Sequence, residues 1–398
     1  MDLDDLKSTV CDEVDRWADR LVDVARQIHA RPELAHEERE AHDLLTSVLD
    51  EAGWAPERSA YGMDTAFCAR AGAGGPAVAV LCEYDALPGL GHACGHNVIA
   101  AAGLGAALAT GGLARQGTGR VVVMGTPAEE GGGGKITMAR RGAFEEIDAA
   151  MMVHPADSDL VRMDCIAIQQ LEVAYEGEAA HAAAAPHRGR NALDAAVLGY
   201  VNVAALRQHI RPTERVHGVF TRAGDKPNIV PDHTTALWYV RSDTMETLQP
   251  LKQRVLACLR AGADAAGCRC DHIWDDHPYA DMKDNGPMAT AYTANAARLG
   301  RRVAEPSAGQ RVVGSTDMGN VSYLVPSIHP MIQVAPAGVP IHTAEFALHA
   351  AGEAADRAVV DGAKAMAMTI VDLWADEEVL AAARAEFRAA TAGSARPI

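Results

Sequence analysis

Residues 77–96, AVAVLCEYDALPGLGHACGH, combine a strand signal with a dense group of reactive side chains. Ala77–Cys82 is a short apolar run with β-branched residues, which predicts a strand covered on both faces. A loop rich in Gly, Pro and His follows, and the uncharged, Ala-rich segment 97–114 then predicts a buried helix. This order of strand, loop and helix is typical of a doubly wound α/β sheet.

The same alternation continues on both sides of this stretch. Apolar residues at steps of three and four predict a helix over residues 3–28 and a second over 37–51. The other predicted elements are buried strands at 120–125, 149–153 and 331–335 and a long helix at 350–373. We therefore predict an α/β domain with a doubly wound sheet.

A different pattern lies between residues 166 and 279. Strands with alternating faces are predicted at 169–175, 216–222 and 234–241, and long helices at 191–209 and 245–266. This β-α-β-β-α order is typical of a small α+β sandwich of the ferredoxin-like kind. We predict that residues 1–166 and 281–398 form one domain, interrupted by an inserted domain at 167–280.

Composition and charge exclude several classes of protein. The 398 residues are 48% hydrophobic and 22% charged, as in ordinary globular chains. A net charge of −17 repels phosphate backbones and anionic lipid, so neither nucleic acid nor a membrane is an expected partner. The acidic N-terminus does not resemble a signal peptide, and the eight cysteines are scattered. These features predict reduced thiols and a cytoplasmic location.

The candidate metal ligands follow the predicted strands at their carboxyl ends, where ligands collect in open α/β sheets. They are a thiol, three imidazoles and a carboxyl group: Cys94, His96, Glu130, His154 and His342. This mixture suits transition metals of borderline softness, such as Zn or Mn, rather than Ca or Mg. Because five ligands exceed the needs of one tetrahedral ion, we predict two divalent ions bridged by a shared ligand and a water.

Glu129 precedes the candidate ligand Glu130 on the same loop, where it can act as a general base on bound water. The glycines of 131–134 permit close approach of the backbone to this pair. Lys135 completes a sequence that imitates a phosphate-binding loop, but the first glycine and the Ser/Thr of that motif are missing. Neither a His-Glu-x-x-His motif nor a Gly-x-Ser-x-Gly nucleophile elbow is present.

The segments 83–96, 127–134 and 177–183 together resemble the M20 metallopeptidases. The resemblance is closest to the amidohydrolase branch, which includes aminobenzoyl-glutamate hydrolases and M20-domain-containing dipeptidases. Segments 314–319 and 341–343 extend it over nearly the whole chain. It implies a zinc-peptidase-like catalytic domain with a dinuclear site and an inserted lid domain through which two chains form a homodimer.

The resemblance also implies roles for individual residues. Glu129 would be the base, and the five candidate ligands would keep their roles. His181 in the lid would polarise the scissile carbonyl, often across the dimer, and Asn228 would contact the substrate. The wider family begins its first metal motif with histidine, where this chain has Glu83, and Asp85 would orient a ligand from behind.

Together these observations predict a metal-dependent hydrolase of amide bonds in small molecules, namely dipeptides or N-acyl and aminobenzoyl amino acids. The alternative from another class is a catalytically silent, metal-binding subunit of a hetero-oligomer. An intact Glu129 argues against that alternative, because a silent subunit has no need of a base.

Overall fold

The computed structural model describes residues 1–306 and 313–398, which fold into two compact units. The larger unit contains Met1–Asp164 and Met282–Arg396, and the inserted unit contains Cys165–Asp281. The predicted boundaries at 166 and 280 lie next to these divisions.

The helices occupy both units and follow one another along the chain. In order, they are α1 (Leu3–Ala30), α2 (Arg39–Glu51), α3 (His96–Arg115), α4 (Gly134–Arg140), α5 (Ala192–Leu206), α6 (Met245–Ala266), α7 (Gly286–Arg298), α8 (Met318–Ser322), α9 (Ala344–His349), α10 (Glu353–Ala375) and α11 (Glu377–Thr391).

The strands are mostly short. In order, they are β1 (Glu57–Arg58), β2 (Phe67–Ala71), β3 (Ala77–Cys82), β4 (Arg120–Gly125), β5 (Ala149–Met151), β6 (His154–Ala156), β7 (Asp164–Cys165), β8 (Ala167–Glu176), β9 (Arg215–Arg222), β10 (His233–Ser242), β11 (Arg269–Trp274), β12 (Val313–Gly314), β13 (Ser327–Ile328) and β14 (Met331–Gln333).

The larger unit is built on a six-stranded sheet in the order β1-β2-β4-β3-β5-β13. From β4 to β13 the strands are parallel, whereas β2 runs antiparallel to β4 at one side. All of β3 is buried, as its apolar sequence predicts for a strand covered on both faces. Together with β4 it confirms the predicted α/β fold, and both strands have the predicted bounds.

One predicted strand is interrupted in the structure. The segment 149–153 forms only β5, and the chain pairs again as β6 beyond it. In the same way β13, which was not predicted, is followed by β14, and these two neighbouring pairs are both parallel. The prediction of one continuous strand at 149–153 was therefore wrong, because the ladder to the neighbouring chain segment breaks before His154.

Helix α3 begins directly after the reactive loop and crosses the centre of the larger unit. It is long and apolar enough to span a membrane, but 94% of its apolar window is buried inside the protein. It packs against α1 and α10. Gly103 and Gly105 lie where a Cβ atom would press on Cys82 or Leu21. Small residues therefore allow α3 to act as a core helix.

The inserted unit has the order β8-α5-β9-β10-α6-β11 and an antiparallel sheet in the order β11-β8-β10-β9. Alternate residues of β8 and β10 are buried, including Tyr175 and Trp238, so each strand has one face in the core. Strand β11 was not predicted; its alternately exposed residues complete the ferredoxin-like order.

Helices α5 and α6 approach each other closely at two glycines. A Cβ atom on Gly262 would overlap the carbonyl oxygen of Ala195 and the amide of Gly199, and both overlapping groups are backbone. The crossing of the two helices therefore requires glycine at position 262, since backbone atoms cannot move aside as a flexible side chain can.

We expect Gly262→Ala to destabilise the protein by about 1–3 kcal/mol through overpacking. Gly112→Ala, on the exposed side of α3 where no atom lies within 4 Å of the added carbon, is the control. It should stabilise by up to about 1 kcal/mol, because alanine favours helices over glycine. Chemical denaturation of both variants measures the difference, and equal stability would contradict the close crossing.

Candidate active site

The candidate ligands converge at the carboxyl ends of the parallel strands. Glu83 and Asp85 follow β3, Glu129 and Glu130 follow β4, and His154 follows the interruption after β5. All five side chains are buried or nearly so. The sheet topology thus brings to one edge groups that lie up to 71 residues apart in the chain.

Cys94, His96 and His154 form one group whose ligand atoms lie within 4.8 Å of one another. The Cys94 sulfur is 3.4 Å from Nε2 of His154. His154 directs Nδ1 to the carbonyl oxygen of Pro155 at 2.8 Å, which places the proton on Nδ1 and leaves a lone pair on Nε2. All three side chains are buried.

A second group consists of Cys94, Glu130 and His342, again within 4.8 Å. Nε2 of His342 is 3.5 Å from Oε1 of Glu130. The histidine has a left-handed backbone, with φ of 64°, and its N–H donates to the carbonyl oxygen of Ala93 at 2.8 Å. This bond ties the distant segment around residue 342 to the loop that carries Cys94, so the two groups share the sulfur.

Asp85 lies behind both groups and orients them. Its Oδ1 is 2.9 Å from Nδ1 of His96, and its Oδ2 accepts a bond of 2.8 Å from the N–H of Glu130. The imidazole is therefore held with Nε2 pointing into the site. Such support is typical of metal-binding histidines, whose second nitrogen is bonded to a carboxylate.

The loop between β4 and α4 is shaped by Glu38, which sequence reasoning missed. Glu38 is fully buried, and its two oxygens accept bonds of 2.8 Å from the N–H of Ala128 and from the hydroxyl of Thr65. Ala128 has a left-handed φ of 60°, next to Glu129. A Cβ on Gly134 would overlap the carbonyl oxygen of Pro127, so the glycine run allows this tight turn.

Lys135 and Asp317 were also missed as members of the site. The ammonium group of Lys135 is fully buried, 2.6 Å from Oε1 of Glu83 and 2.6 Å from Oδ1 of Asp317. Sequence analysis considered Lys135 only as part of a false phosphate-binding loop. A lysine directly after a glycine run beside two glutamates was the available signal.

The electrostatics of the two glutamates on the loop differ. Burial, and then the charges of Glu83 and Glu130, raise the pKa of Glu129 well above its usual value. Burial acts in the same direction on Glu130, but hydrogen bonding to His342 and the charge of His96 outweigh it and lower the pKa of Glu130. One carboxyl group is therefore suited to carry a proton and the other to remain an anionic ligand.

The imidazoles also differ. Burial, and then the charge of His96, lower the pKa of His154 to about 4, so this ring is neutral, the form that binds metals. Burial works to lower the pKa of His96 as well, but Cys94 and Asp85 outweigh it and raise that pKa well above its usual value. Burial raises the pKa of the Cys94 thiol. A divalent cation reverses this last shift, because a coordinating thiol is deprotonated outright.

These residues fit a pair of divalent transition-metal ions. Thiol, imidazole and carboxylate donors lie within one small volume, and they are the donor types that such ions prefer. Nε2 of His96 and Oε1 of Glu130 are buried, and neither has a hydrogen-bond partner among the residues that the structure describes. Buried polar atoms are costly without a partner, and bound cations would satisfy them.

His181 and Asn228 belong to the inserted unit and lie in adjoining loops. The N–H of Ala182 donates to the carbonyl oxygen of Asn228 at 3.0 Å, and both side chains are exposed. Nδ1 of His181 accepts from the backbone N–H groups of Ala183 and Ala184, at 3.3 and 3.1 Å. Because Nδ1 is an acceptor, the neutral ring carries its proton on Nε2, which is then a hydrogen-bond donor.

The fold and the buried donor set define a class of hydrolase with a dinuclear metal centre, and comparison with known proteins agrees. Residues 79–372 match Peptidase family M20/M25/M40. The chain belongs to this family.

Several known proteins are similar over nearly the whole chain. It is 41% identical to the Xaa-Arg dipeptidase of Mus musculus, covering 97% of this chain and 93% of that protein. It is 29% identical to one of the subunits of the p-aminobenzoyl-glutamate hydrolase of Escherichia coli (strain K12), covering 96% and 94%. In fold it resembles a dinuclear metal-binding M20 peptidase from Bacillus subtilis, with a TM-score of 0.68 and 19% identity, covering 91% and 99%.

The contrast between the two loop glutamates gives a test of their roles. Glu129→Gln should keep its bound metal but lose about 10²–10⁴-fold in turnover, because it removes the proton acceptor and preserves volume. Glu130→Gln should instead lose metal. Elemental analysis by mass spectrometry and steady-state kinetics measure both quantities, and metal loss from Glu129→Gln alone would show that the two roles are reversed.

Proposed function

We propose that the chain is a metal-dependent hydrolase that cleaves the amide bond of a dipeptide or of an N-acyl or aminobenzoyl amino acid. The observation that carries this proposal is the meeting of two donor groups at Cys94, directly beside the buried carboxyl group of Glu129. When bound, a pair of divalent ions supplies an acidified water and polarises a carbonyl oxygen. Thiolate and imidazole donors favour zinc, and manganese is the alternative.

Glu129 moves the proton in the proposed reaction. Its carboxylate takes a proton from the attacking water and returns it to the nitrogen of the leaving amine. A raised pKa suits this shuttle, because the group must hold the proton during the lifetime of the intermediate. Asp85 fixes the orientation of His96 and the position of Glu130 throughout the reaction.

His181 is the proposed donor to the oxyanion. The two backbone N–H groups that bond to Nδ1 leave the proton of the neutral ring on Nε2, and a proton there can be donated to the carbonyl oxygen of the substrate. Asn228 is proposed to contact the substrate from the adjoining loop. Both residues come from the inserted unit, which would act as the lid.

The substrate class follows from the relatives. Both the murine relative and the human protein, which is 39% identical, are Xaa-Arg dipeptidases, and the bacterial relative belongs to an aminobenzoyl-glutamate hydrolase. We propose dipeptides as the first class to test, including those with a C-terminal arginine. Because the bacterial relative is only one of the subunits of its enzyme, a silent subunit is the alternative, but the complete donor set and Glu129 favour an active enzyme.

We also propose that the inserted unit forms a homodimer. It exposes a lid patch of apolar side chains on α5 and β9, consisting of Val197, Leu198, Tyr200, Val201, Val219 and Phe220. The rings of Tyr200 and Phe220 lie 6.1 Å apart, which makes the patch continuous, and β9 is an edge strand of its sheet. An apolar surface beside an unpaired strand suits a second copy of the chain.

A cytoplasmic location remains a proposal. All eight cysteines are free thiols, and free thiols persist in a reducing compartment.

The proposed activity is tested by loading the purified protein with Zn or Mn and offering dipeptides, acyl amino acids and aminobenzoyl-glutamate. We expect hydrolysis of at least one class, abolished by chelation and restored by adding the metal back, with up to two equivalents bound per chain. The variant Glu129→Gln, loaded to the same metal content, is the matched control. Full activity with only one tightly bound equivalent would contradict the dinuclear centre.

The route of donation from His181 is tested by mixing two inactive variants, His181→Ala and Glu129→Gln. If His181 acts across the dimer, each mixed dimer contains one intact site, and about one quarter of wild-type activity should return after subunit exchange. If each chain uses its own His181, every site keeps a lesion and the mixture stays inactive. Mass spectrometry of the intact dimers confirms the exchange.

A further inference from the structure

Glu83 occupies a position that neither the sequence motifs nor the proposed mechanism explains. It follows β3 directly, its side chain is only 1% exposed, and its two oxygens face different groups. Oε1 lies 2.6 Å from the ammonium nitrogen of Lys135, whereas Oε2 lies 3.5 Å from Nε2 of His96. One oxygen is therefore bound from behind, and the other is directed into the metal centre.

The two atoms that face each other at 3.5 Å are both electron-rich. Asp85 engages Nδ1 of His96, so in the neutral ring the lone pair of the imidazole is on Nε2. Neither this nitrogen nor Oε2 of Glu83 has a hydrogen-bond partner within residues 1–306 and 313–398. Two lone pairs that face each other in a buried site repel, and a cation bound to both would turn this repulsion into attraction.

Glu83 also belongs to a third set of convergent donor atoms. One atom each from Glu83, His96 and Glu129 lies within 4.8 Å of the others, a spacing that a single ion can bridge. His96 is common to this set and to the set with Cys94 and His154. An ion on Nε2 of His96 would thus be within reach of the Glu83 carboxylate and close to the proposed base.

Lys135 holds Glu83 in this orientation. Its ammonium group is 2.6 Å from Asp317 as well as from Glu83, and its backbone N–H donates to the other oxygen of Asp317 at 2.9 Å. Two contacts to the same carboxylate fix the lysine, which has no solvent to turn towards. Metal-binding carboxylates are commonly bonded from behind in this way, which fixes their orientation.

We infer that Glu83 is a sixth protein ligand of the metal centre, presented to the ion on His96 by the Lys135–Asp317 pair. The inference rests on the proposed function, because it assumes that the donor set binds metal ions for hydrolysis. Its competitor is a purely structural role, in which Glu83 only neutralises the buried charge of Lys135. The two roles give opposite results when both charges are removed together.

The test measures metal dissociation constants of apo protein by competition with a chromophoric zinc chelator. Glu83→Gln should weaken binding of one of the two equivalents about 10- to 100-fold. The double variant Glu83→Gln/Lys135→Met should be weakened to a similar extent, because the ligand is still missing. Wild-type affinity in the double variant would show that Glu83 serves only to neutralise Lys135, and it would overturn the inference.

A matched control is available elsewhere in the larger unit. Lys7 and Asp372 form another buried ion pair, with 2.6 Å between nitrogen and oxygen. The double variant Lys7→Met/Asp372→Asn removes a comparable pair of charges and should leave both dissociation constants unchanged. Circular dichroism of each apo protein establishes folding; if Glu83→Gln alone does not fold, the double variant still decides between the two roles.

The result is separable from the proposed function because the titration needs no substrate. A wild-type protein that binds two ions but hydrolyses no amide would refute the proposed function and leave the role of Glu83 to be decided by the titration. A wild-type protein that is active, with unchanged zinc affinity in Glu83→Gln, would refute the inference alone.

Discussion

The structure depends on a concentration of buried negative charge at one edge of a parallel sheet. Five carboxyl groups, those of Glu83, Asp85, Glu129, Glu130 and Asp317, lie in the candidate site or directly behind it. Burying carboxylates together is costly unless cations or hydrogen bonds compensate them. Lys135 supplies one positive charge, and the backbone N–H groups of Glu130 and Lys135 supply further bonds. Much of the remaining charge calls for bound metal, so affinity for cations follows directly from the arrangement.

The sequence was most informative where a side-chain pattern has a simple spatial meaning. The strands at 77–82 and 120–125 are apolar along their whole length, a pattern that indicates burial on both faces, and their ends place reactive residues at one edge. The convergence of Cys94, His96 and His154 could therefore be predicted without coordinates. His342, over 200 residues further along, could be included because its segment also follows a strand signal.

Other features depend on tertiary contacts that no local pattern encodes. Glu38 is bonded to Ala128, 90 residues away, and Lys135 to Asp317, 182 residues away, so neither partner is visible from a spacing rule. Strand β2 runs antiparallel at the side of an otherwise parallel series, where its short sequence resembles a loop. The break between β5 and β6 reflects pairing with β13 and β14, which are themselves too short to stand out.

The insertion of a complete unit within the larger one has a consequence for how the chain folds. Residues 165–281 are continuous and carry their own core, so they can fold as soon as they leave the ribosome. Strand β5, however, pairs with β13, whose residues are made only after the whole inserted unit. His342 is later still. Synthesis therefore leaves an acidic, incomplete sheet edge exposed for more than half of translation, and closure of this long loop is expected to make completion of the larger unit the slow step of folding.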